Sequence, residues 1–215
     1  MKRTLSILFT LAVALFALAP ALHASSGKSY TIRGSYFAPE GAKAGFTIGG
    51  GVGMMIDEKV EIGIGTDIYY KNYRKTTRVA TVISPGGVVT DTEAVLLEYN
   101  TVILPVMLEL MIKFPVFPQG SVFGHAGLGY EFLFNKVDNF AEGISDRDFY
   151  SGFTWQLGGG FMLKLGNSSS LFVEGFYDWG RPKRNLKEPL LKMPVYESVN
   201  LSGFGARVGL SLGPL

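Results

Sequence analysis

The chain has 215 residues, of which 47% are hydrophobic and 18% charged, and it contains no cysteine. That composition supports one folded domain with its own interior and excludes disulfides, cysteine-ligated metals and a cysteine-anchored lipid. Glycine is the outlier, with 28 residues against a usual share of ~7%, and no collagen period or Gly/Ser linker accounts for it.

Lys2 and Arg3 precede an apolar run from Leu5 to Ala19, followed by small residues at A-P-A (19–21) and L-H-A (22–24). This is the pattern of a secretory signal peptide, too short and wrongly flanked for a spanning helix. The expected division is a signal at 1–24, cut after Ala24 in preference to Ala21, and a mature domain at 25–215. Removing Lys2 and Arg3 takes the 20 basic side chains to 18, against 18 acidic ones. The mature chain is therefore near neutral, and nothing in its charge suits nucleic acid. Beyond the signal no run of ~18 uncharged apolar residues remains; the longest candidate, 102–113, is interrupted by Pro105, Glu109 and Lys113.

Eight alternating segments follow, with almost no helical periodicity. The first, 29–37, carries Arg33 within T-I-R-G-S-Y-F. In the second, 43–56, Gly45, Thr47, Gly49, Gly51 and Gly53 share one face, with Phe46, Ile48, Val52, Met54 and Ile56 on the other. Its G-G-G-V-G lacks the Gly-Lys-Ser/Thr and the helix of a phosphate-binding loop and reads as strand glycine. The third, 59–73, sets Val60, Ile62, Ile64, Thr66 and Ile68 opposite Glu61, Gly63, Gly65, Asp67 and Tyr69. In the fourth, 95–114, Pro105 and Glu109 fall on the glycine-type face; a proline inside a closed sheet predicts a bulge near 104–106 that would swap the faces above it, Glu98 included.

The fifth segment, 121–134, holds Glu131 and, near its turn end, His125, the one histidine left after cleavage. The sixth, 149–165, sets Gly152, Thr154, Gln156, Gly158 and Gly160 against Phe153, Trp155, Leu157, Phe161 and Leu163. The seventh, 170–180, carries Glu174 and Asp178. The eighth, 198–212, alternates Gly203, Gly205, Arg207 and Gly209 with Phe204, Ala206, Val208, Leu210 and Leu212. Connections at 57–58, 115–120 and 166–170 are short, whereas 74–94, 135–148 and 181–197 read as long loops. Short turns at one end and long loops at the other describe an up-and-down meander, and an even strand count lets the last strand close on the first.

The less apolar face decides the environment. A solvated sheet would carry Lys, Glu, Thr and Ser there, but this one carries glycine and scattered charges, which suit the crowded interior of a narrow barrel. The opposite Ile, Val, Leu and Phe stripes then face lipid, and a sheet in lipid must close because its edge would leave backbone groups unsatisfied. Aromatics gather at the loop-side ends, where Tyr69, Tyr70, Tyr130, Trp155, Tyr177 and Trp179 read as an interfacial girdle. The reading is all-β: an eight-stranded antiparallel up-and-down transmembrane β-barrel. A soluble lipocalin-like barrel is the alternative fold.

T-I-R-G-S-Y-F (31–37), V-E-I-G-I-G-T-D-I-Y-Y (60–70), G-H-A-G-L-G-Y-E-F (124–132) and L-S-G-F-G-A-R-V-G-L-S-L (201–212) together resemble the small outer-membrane barrels of the OmpA/OmpX type. The resemblance covers the mature chain and implies placement in the outer membrane, with assembly by the barrel assembly machinery. Family members usually end on an aromatic residue, whereas this chain ends G-P-L, and the expectation is that no peptidoglycan-binding domain follows the eighth segment.

By parity the lumen holds Arg33, Glu61, Asp67, Lys71, Glu109, Lys113, Glu131, Lys164, Glu174, Asp178 and Arg207. Charges in so narrow a space must be paired or hydrogen-bonded, so a packed ion-pair plug is expected. A path for small solutes or hydrophobic compounds is the alternative. Arg181, Lys183 and Arg184 at the base of the last loop suit lipopolysaccharide phosphates. A hydrolase of the lipid-modifying kind would have to use His125, which lies far from the loop side. The expectation is therefore a monomeric, non-enzymatic barrel with no metal or cofactor, whose lipid partner is outer-membrane lipid and lipopolysaccharide and whose surface partner the sequence does not name.

Overall fold

In the computed structural model the alternating segments become antiparallel strands, and the structure describes residues 27–83, 89–140, 142–166, 168–186 and 195–213. The expected signal at 1–24 lies outside the described residues. The strands are β1 (Lys28–Pro39), β2 (Gly45–Met55), β3 (Val60–Ile83), β4 (Val89–Phe117), β5 (Gly120–Asn139), β6 (Ile144–Lys164), β7 (Ser169–Gly180), β8 (Lys183–Leu186), β9 (Val195–Ser198) and β10 (Gly203–Leu212). Each of β1 to β6 pairs with the next, and β10 pairs with both β7 and β1, so the sheet closes.

β8 and β9 are not extra barrel strands. Ser151 faces Lys183 in the same register that sets Thr154 opposite Gly180, so β8 prolongs β7 along β6. Lys183 faces Ser198 in the register that sets Asp178 opposite Gly203, so β9 leads into β10. Across the interruption the Val199 N–H donates to the Pro182 carbonyl (3.1 Å) and the Leu201 N–H to the Gly180 carbonyl (2.9 Å). The barrel therefore has eight strands, two of them interrupted.

Two expectations are corrected. Two of the segments read as long loops, 74–94 and 135–148, are mostly strand: β3 runs for 24 residues and β4 for 29, and β5 and β6 stay paired up to Asn139 opposite Ile144. Residues 76–83, T-T-R-V-A-T-V-I, are rich in β-branched side chains, which favour pleated pairing even among charges. The bulge expected near Pro105 does not form either. The β3–β4 register is the same at Thr66 opposite Val106 and at Tyr69 opposite Ile103, and β4–β5 runs unbroken through Pro105 opposite Glu131. The Thr66 hydroxyl donates to the Pro105 carbonyl (2.6 Å), so a side chain satisfies that acceptor beside the donor the proline lacks. Glu98 therefore stays on the outer face.

The outer face is apolar and bare, with Phe46 78% and Phe204 73% exposed, as lipid contact requires. Above Tyr70 that face turns polar: Asn72 Nδ2 donates to Glu98 Oε1 (2.6 Å) and Asn100 Oδ1 (2.7 Å), and Arg74 pairs with Glu98 (3.2 Å). The change from Ile and Leu to Asn, Glu and Arg marks the upper boundary of the lipid band. β3 to β6 continue past it as a wall, while the β1–β2 hairpin turns back below.

Candidate functional site

The lumen is filled in layers, each built by inward positions of several strands. At the turn end Phe123, Met162 and Phe172 form a buried cluster with Met111 against it. Beside it the Lys113 ammonium pairs with Glu61 Oε2 (2.8 Å), and Glu61 Oε1 accepts from the Ser29 hydroxyl.

The middle layer centres on two arginines. Arg33 Nε donates to Asp67 Oδ1 (2.8 Å), while its two terminal nitrogens grip Glu109 as a fork (3.1 and 2.5 Å). Arg207 lies 3.1 Å from Glu174 Oε2 and 3.6 Å from Asp67 Oδ2, donates to Gln156 Oε1, and sits 4.3 Å from the Phe176 ring centre. His125 Nδ1 is 3.1 Å from Glu174 Oε1. Two planar forks sharing Asp67 suit a space too tight for hydrated ammonium groups.

Glycine makes this layer sterically feasible. A Cβ on Gly65 would stand 2.6 Å from Glu109 Cδ, and one on Gly49 would overlap the Asp67 carboxylate. The glycine excess in the composition is the cavity in which the charges are stacked.

Above the arginines, Asp178 accepts from Thr154 Oγ1 (3.1 Å) and Gln156 Nε2 (3.2 Å). Glu131 is 3% exposed, and its Oε2 has no hydrogen-bond partner among the described residues. The loop-side end is then closed by a buried apolar cap of Tyr69, Ile103, Leu133, Tyr150 and Leu201, with Ala42 and Val199 packed on it. The Tyr69 hydroxyl donates to the Lys43 carbonyl. A cavity of about 30 Å³ remains between the lower pair and the arginine layer, lined by Arg33, Glu61, Glu109, His125 and Glu174 among others. It has room for one or two water molecules.

The sequence-derived lumen residues thus fall into separate groups. Arg33, Asp67, Glu109, Glu174 and Arg207 meet in one network; Glu61 pairs with Lys113; Glu131 and Asp178 lie above without a cation in contact. Lys71 is half-buried near the loop end, and Lys164 is exposed at the turn end. Tyr69 is the correction among the girdle residues. It is 2% exposed and inside the cap, because it shares the parity of Glu61 and Asp67. Phe37, Phe123, Tyr150, Phe172 and Phe176 also point inward and are buried. Tyr70 and Tyr130 are exposed outside, and Trp155 stacks on Trp179 (6.3 Å, 12°) and tilts against Tyr177 (5.9 Å). Sequence reading missed the cap, although Ile103, Leu133 and Leu201 sit on the same parity as the lumen charges.

The basic trio is split. Arg184 faces inward, bonded to Asp148 and Glu197 and 5.1 Å over the Tyr150 ring. Arg181 and Lys183 face outward and are exposed. Successive strand residues point to opposite faces, so Lys183 and Arg184 cannot both reach lipid.

A family model described as "Outer membrane protein beta-barrel domain" matches residues 9–174. Among solved structures, the outer membrane protein OprG of Pseudomonas aeruginosa is 14% identical over 87% of this chain and 95% of its own, with a TM-score of 0.50. The attachment invasion locus protein Ail of Yersinia pestis, in complex with the heparin analogue sucrose octasulfate, is 10% identical over 87% and 98%, with a TM-score of 0.48. Neisserial surface protein A is 11% identical over 87% and 97%, also at 0.48. At such identities the likeness speaks to fold alone. A comparison with curated protein sequences finds no match.

Proposed function

Since the chain belongs to the outer membrane protein β-barrel domain family and is an outer-membrane protein, we propose that it works at the cell surface through its protruding sheet and not through its lumen. The observation that carries this reading is the layered filling: an apolar cap of five side chains above, a buried ion network in the middle, and an aromatic-methionine cluster below. A charge-paired, close-packed interior stabilises a wall; it does not conduct. The wall of β3 to β6 rising past Asn72 and Asn100 then offers the part of the molecule that a surface partner meets.

No enzymatic role is part of this proposal. His125 is 5% exposed and faces Glu174 between the two apolar layers, out of reach of a lipid in the outer leaflet. Assembly by the barrel assembly machinery and a monomeric state belong to the same reading.

Planar-bilayer recording on the refolded protein tests it. Folding is first confirmed by heat-modifiable migration on a gel. The expected record is flat. Steady ohmic steps would sink the closed-lumen reading in favour of a small-solute channel.

A further inference from the structure

We infer that the β7–β8 side of the barrel rim binds the phosphates of a phosphorylated outer-leaflet glycolipid of the lipid A kind. The inference goes beyond the surface reading and rests only on the placement of the barrel in the outer membrane.

Because β8 continues β7 in register, Tyr177, Trp179, Arg181 and Lys183 follow one another up the outer face. With a rise of ~3.3 Å per residue and a strand tilt of ~40°, Arg181 stands roughly 5 Å and Lys183 roughly 10 Å above Trp179 along the membrane normal. Trp at such a position sits at headgroup level, and the polar layer is about 5–7 Å deep on each side. The two cations therefore lie within and just above the phosphate layer.

Their surroundings favour an anion. The Arg181 guanidinium carbon is 6.0 Å from the Trp179 ring centre, and Lys183 Nζ is 4.8 Å from that of Tyr196. Across the strands Lys183 faces Ser151 and Ser198, which add hydroxyls and no charge. Neither Arg181 nor Lys183 has an ion pair among the described residues. The nearby carboxylates are engaged elsewhere: Glu197 with Arg184, and Glu40 with the Asn200 amide. On the wall, Arg74 is paired with Glu98 and Lys136 with Asp138, while Arg147, exposed opposite Lys136 in the β5–β6 register, adds a further outward cation. On the β7–β8 side the outward positive charge comes from Arg181 and Lys183. A phosphate reaching it gains two cations already held against rings, at the edge of the lipid band where screening is weaker than in bulk water.

The chain has two tryptophans, and both, Trp155 and Trp179, lie in this patch, so their emission reports on it without a label. Bisphosphorylated lipid A is titrated into the detergent-solubilised, heat-modifiable protein. The expected result is a saturable emission change that weakens at least tenfold in Arg181→Gln/Lys183→Gln and is unchanged in Arg74→Gln/Lys136→Gln. Dephosphorylated lipid A with the same acyl chains, and inorganic phosphate alone, give no saturation. Equal binding by Arg181→Gln/Lys183→Gln, or by the dephosphorylated lipid, overturns the inference. Saturation by inorganic phosphate alone also overturns it, by showing a free-anion site instead of a lipid one. If the double variant fails to fold, Lys183→Gln alone carries the test with an expected partial loss. The gel shift of each variant reports separately on the barrel.

Discussion

Arg33 makes contacts that no other side chain can reproduce: one nitrogen to Asp67 and a two-pronged grip on Glu109. Arg33→Met leaves Glu109 without its cation and Asp67 with only the longer contact to Arg207, and the expected loss is about 3–5 kcal/mol of unfolding free energy. Arg33→Lys keeps the charge but not the fork, and loses a smaller amount, about 1.5–3 kcal/mol, the value of a charge-assisted bond. Urea unfolding in lipid vesicles, followed by tryptophan emission, measures both; equal stability of Arg33→Met and the native protein would show that the network contributes nothing. The lumen identity of Arg33, Asp67, Glu109, Glu174 and Arg207 was legible in sequence because parity along a strand is strict. Their grouping was not, since it depends on which strands face each other across the barrel. Tyr69 shows the opposite failure. Its parity with Glu61 and Asp67 put it inside, but an aromatic at the loop end of a strand suits a girdle equally well, and only burial separates the two.

At the scale of elements, the protruding wall is held by ladders on its outer face. Asn72 first, and then Arg74, hold the Glu98 carboxyl below its ordinary 4.5. Lys136 and then Ser145 hold Asp138 below 3.8. A carboxyl depressed on folding stabilises the folded form above its unfolded value, and that contribution disappears as pH falls through the folded one. Resistance of the wall to limited proteolysis by an acid-tolerant protease is therefore expected to hold flat from neutral pH to about 5 and to decline below about 4. Glu98→Gln should lower the plateau and flatten the decline. The part of β3 and β4 beyond Leu97 pairs only with itself in the ladders to Ile83 and Val89, and a lone two-stranded ribbon adds little to a barrel. Replacing 76–94 with a short glycine-rich turn should leave the heat-modifiable gel shift intact; loss of the shift would mean that the hairpin is needed for folding. Reading 74–94 as loop gave its charges too much weight and its β-branched run too little.

At the scale of the whole molecule, eight strands, closure, and which face meets lipid all followed from alternation, glycine on one face and the impossibility of an open sheet edge in lipid. The seal at each end of the lumen was hidden, because it is made by single residues from many strands. Tyr69, Ile103, Leu133, Tyr150 and Leu201 come from five strands or strand extensions, and Phe123, Met162 and Phe172 from three. No local window of sequence contains either set. The seals stand in series with the arginine layer, and series obstacles open only together. Removing one cap should cost stability without producing conductance. Tyr69→Ala, which empties a side chain 2% exposed, is expected to lose about 3–5 kcal/mol, and Tyr69→Phe about 0.5–1.5 kcal/mol through the bond to Lys43. Phe172→Ala, at the other end, should fall in the larger range. In planar bilayers each alanine variant alone should remain as silent as the native barrel, because the paired charges of Arg33 and Arg207 still fill the middle. Ohmic steps in either single variant would show that one layer carries the whole barrier and that the ion network leaves room for ions to pass.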